Sequence, residues 1–155
     1  MNIFYLHKDP QICAEQHLDK HCSKMLVEYA QLMSTAHRIL DGEMYWDRTA
    51  NNRRIKRWRL NDTRENELYK ASHINHPSAV WDRESIINYF EMYKLYMAVL
   101  AEFTNRYGKV HGSSKPSIAL IRPPSNIPMV KGTQLPQCMP EICKVKNNPI
   151  LAYRN

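Results

Sequence analysis

Asp19-Lys20-His21-Cys22-Ser23-Lys24-Met25-Leu26-Val27-Glu28-Tyr29-Ala30-Gln31-Leu32-Met33-Ser34-Thr35-Ala36-His37-Arg38-Ile39-Leu40, closed by Asp41-Gly42, is the stretch that decides the fold. Its apolar residues recur at Cys22, Leu26, Tyr29, Met33, Ala36 and Leu40, with Met25, Leu32 and Ile39 beside them. Steps of three and four residues line up along one stripe of a helix, so the pattern predicts a long helix over 19–40. Gly42 stands where a glycine commonly ends a helix. His21, Lys24 and Glu28 fall at i, i+3 and i+7, which puts all three on one side, opposite the stripe.

Toward the N-terminus, Asn2-Ile3-Phe4-Tyr5-Leu6 reads as a strand or an extended arm. Asp9-Pro10 supplies an N-cap and a first-turn proline, predicting a short helix through Gln16. Toward the C-terminus, residues 43–60 are polar and basic. Asp62-Thr63-Arg64-Glu65 resembles a capping box opening a short helix to about Tyr69, and Ser72 to Pro77 reads as a turn. A second long helix is predicted over 82–107, with Ile86, Phe90, Tyr93, Met97 and Leu100 as its stripe, flanked by Tyr89, Tyr96 and Phe103, and Gly108 as its stop. Beyond Val110, Pro116, Pro123, Pro124, Pro128, Pro136, Pro140 and Pro149 forbid long helices and central strands. The expected architecture is a mainly α, single-domain fold: a helical core over 1–110 and a Pro-rich irregular arm over 111–155 packed on it.

Composition bounds the function. A chain of 155 residues with 43% hydrophobic and 24% charged residues has enough apolar material for one core and is unlike a disordered segment. A net charge of +7 and a pI near 9.3 attract polyanions, although the same charge also serves solubility. The N-terminus lacks the pattern of a signal peptide, and no run approaches the ~18 apolar residues of a membrane span. Cys13, Cys22, Cys138 and Cys143 are therefore expected as thiols in a cytoplasm (the host's, if the source is viral), and a monomer is favoured.

Three groups of residues carry potential chemistry. Arg53, Arg54, Lys56, Arg57 and Arg59 surround Trp58, with no acid between Asp47 and Asp62. Cations neutralise phosphates, and an aromatic among them can stack on or wedge between bases. The alternative is a solvated charged face with Trp58 in the core. His21, Lys24 and Glu28 place a carboxylate beside an amine and an imidazole, a set suited to acid–base or imine chemistry; a surface ion pair explains the same spacing. His73, His76 and Trp81 lie about a turn, where function concentrates, although His76-Pro77 equally suits the start of a helix. Cys13, His17 and His21 repeat at i+4 and Cys138 and Cys143 are near in sequence, but no tight C-x2-C pair exists. Neither a metal nor a cofactor is expected.

With these pieces placed, the chain resembles the phage-type pyrimidine-dimer DNA glycosylases, the endonuclease V group of AP-lyase glycosylases. The likeness runs through residues 12–42, 53–60 and 73–110. Ala14 to His21, Glu28 to Leu32 and Asp41-Gly42 are similar to the family's first long helix and its Asn-Gly stop. Arg53 to Leu60 is similar to its basic segment, and Asn75-His76-Pro77 with the helix to Gly108 resembles its His-led third block. The resemblance implies a compact helical fold in which an N-terminal α-amine attacks the sugar C1′, the damaged base leaves and an imine forms. It implies Glu28 as the assisting glutamate, His21 as a histidine near the site and the basic run as phosphate-binding. The resembled family exposes a small second residue by Met removal, whereas this chain has Met1-Asn2, and the family has an arginine where this chain has Val27. Its aromatic-basic C-terminal loop survives only as Tyr153-Arg154. These departures leave Lys24 as the alternative amine to Met1.

The sequence thus points first to a DNA-repair glycosylase with AP-lyase activity on damaged or modified pyrimidines. Its catalytic candidates are Glu28, His21, Lys24 and Met1; its nucleic-acid-binding candidates are Arg53, Arg54, Lys56, Arg57, Trp58, Arg59, His73 and His76; its expected partner is duplex DNA carrying a damaged base. A non-catalytic nucleic-acid binder of the same fold is the second reading. A phage-type protein–protein modulator using the Pro-rich arm is the third.

Overall fold

The first helix begins where the sequence offers a cap. In the computed structural model, which describes residues 2–154, the Asp9 carboxylate accepts from the N–H groups of Gln11 (2.8 Å) and Ile12 (3.2 Å), and Pro10 opens α1 (Pro10–Glu15). These bonds satisfy donors that a helix start leaves unpaired. α2 (Asp19–Asp41) follows, and Cys22, Leu26, Tyr29, Met33 and Ala36 of its stripe are buried as the spacing requires. Removing side chains such as Leu26 and Met33 from water stabilises the fold by ~1.5–3 kcal/mol each. Gly42 ends α2 because of close approach: a Cβ there would run into the Arg38 carbonyl and lie 3.1 Å from that of Arg59.

The polar, basic stretch after α2, to which the sequence reading assigned no element, is regular over residues 43–59. They form an antiparallel hairpin of β1 (Glu43–Arg48) and β2 (Arg54–Arg59), in the register Glu43↔Arg59, Met44↔Trp58, Tyr45↔Arg57, Trp46↔Lys56, Asp47↔Ile55 and Arg48↔Arg54. The fold is still mainly α, with this ribbon as its one sheet among the described residues.

Three expectations need correction. α3 is short (Arg64–Glu67), and no reciprocal capping box forms at its start. Asp62 accepts from the Arg64 N–H, while Glu65 turns away to accept from Leu60 N–H (2.7 Å) and Arg38 (2.9 Å). The second long helix is two helices, α4 (Pro77–Glu84) and α5 (Ile86–Tyr107), with Ser85 extended between them at φ −151°, ψ 138°. The Ser85 hydroxyl caps α5 by accepting from Ile87 N–H (3.1 Å) and donates to the Val130 carbonyl (2.8 Å), so the Pro-rich arm holds the break open. Asp82 therefore lies inside α4 and is fully buried. Finally, α5 buries Tyr89, Met92, Tyr96, Val99, Leu100 and Phe103, whereas Phe90 and Met97 from the predicted stripe are 37% and 40% exposed. The buried face is rotated because α5 packs against both α1 and α2.

Residues 2–6 are an extended arm without a strand partner, fixed where the Phe4 N–H donates to the Tyr29 hydroxyl (3.2 Å) and the Cys13 thiol donates to the Phe4 carbonyl (3.2 Å). Gly108 takes the left-handed conformation (φ 67°) that closes α5. Among the described residues the C-terminal stretch contains α6 (Ser117–Leu120), α7 (Pro149–Arg154) and two single-turn 3-10 segments, and it delivers Leu120, Ile127 and Leu135 to the common core. None of the four cysteines is in a disulfide. Among the described residues no helix is long and apolar enough to cross a membrane.

Candidate functional site

The hairpin is carried by a buried arginine. Arg38, 3% exposed near the end of α2, donates to the carbonyls of Trp58 (2.9 Å), Tyr69 (2.6 Å), Glu65 (3.1 Å) and Leu68 (3.1 Å) and to the Glu65 carboxylate (2.9 Å). One guanidinium thus ties α2, the base of β2 and α3 together, using the planar fork of donors that only arginine offers. Burial works against the charge on Glu65, but bonds from Leu60 N–H and Arg38 outweigh it and hold the carboxyl below its ordinary range.

Residues paired across an antiparallel ribbon share a face. The register therefore sorts the hairpin into one face of Met44, Trp46, Arg48, Arg54, Lys56 and Trp58, and another of Glu43, Tyr45, Asp47, Ile55, Arg57 and Arg59. Both carboxylates fall on the second face. The first face carries cations alone, with the Arg54 guanidinium 4.1 Å and the Lys56 ammonium 5.6 Å from the ring centre of Trp46. Of the predicted basic residues, Arg53 (in the turn), Arg54, Lys56 and Arg59 are exposed. Arg57 is turned toward the body, donating to the Ala71 carbonyl at 2.8 Å, and Arg59 lies 4.3 Å over the Tyr45 ring. Trp58 is half-buried, neither in the core nor free. Trp46, 51% exposed and absent from the sequence-based candidates, is the ribbon's most exposed aromatic ring among the described residues.

The polar side of α2 gathers the second set. Lys24 Nζ stands 3.9 Å from Glu28, with the lysine side chain 71% exposed and the glutamate 21%. His21 stacks on Phe4 of the N-terminal arm at 4.4 Å between ring centres. Burial, with neighbouring Lys20 and Lys24, lowers the His21 pKa, and Glu28 partly offsets this. Across from α2, His76 caps α4 by accepting from Ser78 N–H (3.2 Å). Burial and the charge of His73 lower the His76 pKa, again offset by Glu28. Glu28 thus pairs with Lys24 and acts through its charge on both His21 and His76, and the link to His76 is one that spacing along α2 does not show. His73 adopts φ +49°, unusual for a residue with a Cβ, and Arg83 pins the same turn by donating to the Ile74 carbonyl (2.7 Å). Trp81 does not join this turn; it is buried, and its indole N–H donates to the Thr133 carbonyl (3.0 Å). Met1 lies outside the described residues.

Other polar clusters are structural. His37 Nε2 meets the Tyr89 hydroxyl at 2.9 Å, and that hydroxyl donates to the Leu120 carbonyl (2.6 Å), so the imidazole carries its proton on Nε2. Its Nδ1 then accepts from Arg64 (2.9 Å), which also pairs with Asp41 at 2.7 Å. Burial, with the Arg64 charge, depresses the His37 pKa to about 4. Burial opposes the charge of Asp41, but Arg64 and the N–H groups of Ser125 and Asn126 overcome it and lower its pKa. The Cys13–His17–His21 repeat is likewise committed elsewhere: His17 donates from Nδ1 to the Cys13 carbonyl (2.8 Å) and accepts at Nε2 from Tyr29 (2.9 Å). Among the described residues no group of three or more His, Cys, Asp or Glu side chains is placed to hold a metal ion.

A cleft of about 450 Å³ opens between the N-terminal arm, α5 and the Pro-rich arm, with Ile3, Trp81, Met92 and Leu135 as apolar walls and Tyr5 and Glu91 among its polar lining. Among the described residues, none of the candidate catalytic or nucleic-acid-binding residues lines it. Comparison with protein-family models, with curated proteins and with solved structures returns no match.

Proposed function

We propose that the chain binds DNA through the β1–β2 ribbon and acts on it as a glycosylase with AP-lyase chemistry, Glu28 serving as the acid–base group. The observation that carries the reading is the sorting of charge on the ribbon: Arg48, Arg54 and Lys56 on one face, both carboxylates on the other. A face of unopposed cations suits a row of phosphates and their counterion release, and a two-stranded ribbon fits the width of a major groove.

The chemistry rests on Glu28. An amine nitrogen bonds to the sugar C1′ as the N-glycosidic bond breaks, and the base leaves with the electron pair and takes up a proton. The nitrogen lone pair then expels the ring oxygen as the C1′–O4′ bond breaks, and the two protons given up by the amine go to the departing base and to O4′, leaving the C1′=N imine. A carboxylate half-shielded on the side of α2 that also carries His21 is suited to moving those protons. The amine is either the chain's own α-amine or Lys24. An α-amine is partly unprotonated near neutral pH, with a reference pKa of about 7.7–8.0, whereas a nucleophilic lysine needs desolvation.

Borohydride trapping on duplexes carrying a thymine dimer or an abasic site tests the reading, with Glu28→Gln and Lys24→Ala alongside. Wild type should give a covalent adduct, and Glu28→Gln should lower its yield by 10-fold or more, given the ~10²–10⁴-fold usually contributed by acid–base groups. An adduct only on the abasic site would retain the lyase and remove the dimer as substrate. One observation favours a second reading, a non-catalytic DNA binder: Lys24 is 71% exposed and lacks the desolvation a lysine nucleophile requires. Salt-dependent binding with no adduct on either substrate would select it.

A further inference from the structure

We propose that the cationic face of the ribbon is a stacking site for an unpaired base, with Trp46 as the ring that receives it. The preferred ligand is then nucleic acid with an unstacked nucleotide, a single strand or a gap, over uninterrupted duplex. This rests on the reading of the ribbon as a nucleic-acid surface and specifies what that surface takes.

Trp46 stands 51% exposed in the middle of β1. Tryptophan is highly buried on average, so a large indole left in water needs a reason. Here it is also oriented. Lys56 sits directly across the ladder and Arg54 packs its guanidinium 4.1 Å from the ring centre, so cation–π contact orients the ring. Met44, 43% exposed, and half-buried Trp58 continue the same face one pair further along. Arg48 and Arg54, paired with each other, complete its positive charge toward the turn.

This arrangement meets the two requirements of single-strand recognition: cations to track the backbone and an aromatic ring presented to a base. An intact duplex offers base edges in its grooves, with the base faces occupied by neighbouring pairs, so the indole gains from stacking only where a base is unstacked. Charge complementarity names the occupant as a polyanion, and the exposed ring between the charges names it as one that carries aromatic bases.

Fluorescence anisotropy with the full chain tests this, using labelled oligothymidylate, the matched duplex and the same duplex with a one-nucleotide gap. Variants are Trp46→Ala, Trp46→Phe and Arg54→Ala with Lys56→Ala, each checked for wild-type circular dichroism. Wild type should bind the single strand and the gapped duplex more tightly than the intact duplex. Trp46→Ala should weaken single-strand binding on the order of 10- to 100-fold, the range of base–aromatic stacking, and leave duplex binding within about 2-fold. Trp46→Phe should recover most of the loss. If the paired charge variant loses binding while Trp46→Ala binds all three ligands like wild type, the stacking site is overturned and the nucleic-acid reading stands. If wild type binds none of them at low salt, both fall.

Discussion

Arg38 Nη1 donates to the carbonyl oxygen of Trp58 at 2.9 Å, a bond that joins the last turns of α2 to the base of the ribbon. Since the same guanidinium also serves Glu65, Leu68 and Tyr69, its removal takes a donor from each of these carbonyls and leaves the Glu65 carboxylate, among the described residues, with the Leu60 N–H alone. Arg38→Met should cost ~3–5 kcal/mol, the usual cost of breaking one side of a buried ion pair. Arg38→Lys should recover little, because an ammonium cannot reproduce the planar fork. Urea unfolding measures both, and equal stability of the lysine variant and wild type would refute the geometric argument.

His37 predicts an acid-side weakness. Its folded pKa of about 4 lies below the ordinary value of 6.5, so the unfolded chain binds the proton more readily. The stability it contributes is fully present above pH ~6.5 and is lost as pH falls toward ~4, in total about 3 kcal/mol at roughly 1.4 kcal/mol per pH unit. His37→Gln should be less stable than wild type at pH 7 and show a flatter decline between those limits. Unfolding midpoints across that range would reveal a parallel decline if the imidazole plays no part.

Asp82 works in the opposite sense. It is 0% exposed, and neither carboxylate oxygen has a hydrogen-bond partner among the described residues. Burial raises its pKa well above the ordinary carboxylate value. The folded chain therefore holds the proton more tightly than the unfolded one. The stability this lends is full below pH ~3.9 and is lost as pH rises through the raised folded value. Asp82→Asn keeps the shape and has no charge to bury, so it should flatten the decline above pH 4 and match or exceed wild-type stability at pH 8. A marked loss at pH 8 would instead point to a partner for the ionised carboxylate.

These relationships divide by how local they are. The α2 stripe and the polar side with His21, Lys24 and Glu28 were legible because a helix converts spacing directly into position. The effect of the Glu28 charge on His76 was not, since it depends on α4 packing against α2, whose contacting residues lie far apart in sequence. The hairpin was hidden by its own composition. Apolar and charged residues appear on both of its faces, which blurs the two-residue alternation that marks a half-buried strand. Its signals were weaker: Tyr45, Trp46, Ile55 and Trp58 favour strands, and Asn52, at φ 60°, is a residue type that tolerates the left-handed turn. The break at Ser85 had a signal too, a serine before paired isoleucines. Its cause, however, is the Val130 carbonyl, supplied by the arm from 45 residues away.

A sheet of two strands has no further strand on either side to pair its outer edges. Unpaired edges are templates on which a second copy can add a strand, and lysines or arginines along them are a common guard against it. Arg48, Arg54 and Lys56 therefore also protect the chain from itself. Neutralising them would remove that guard against pairing with a second copy.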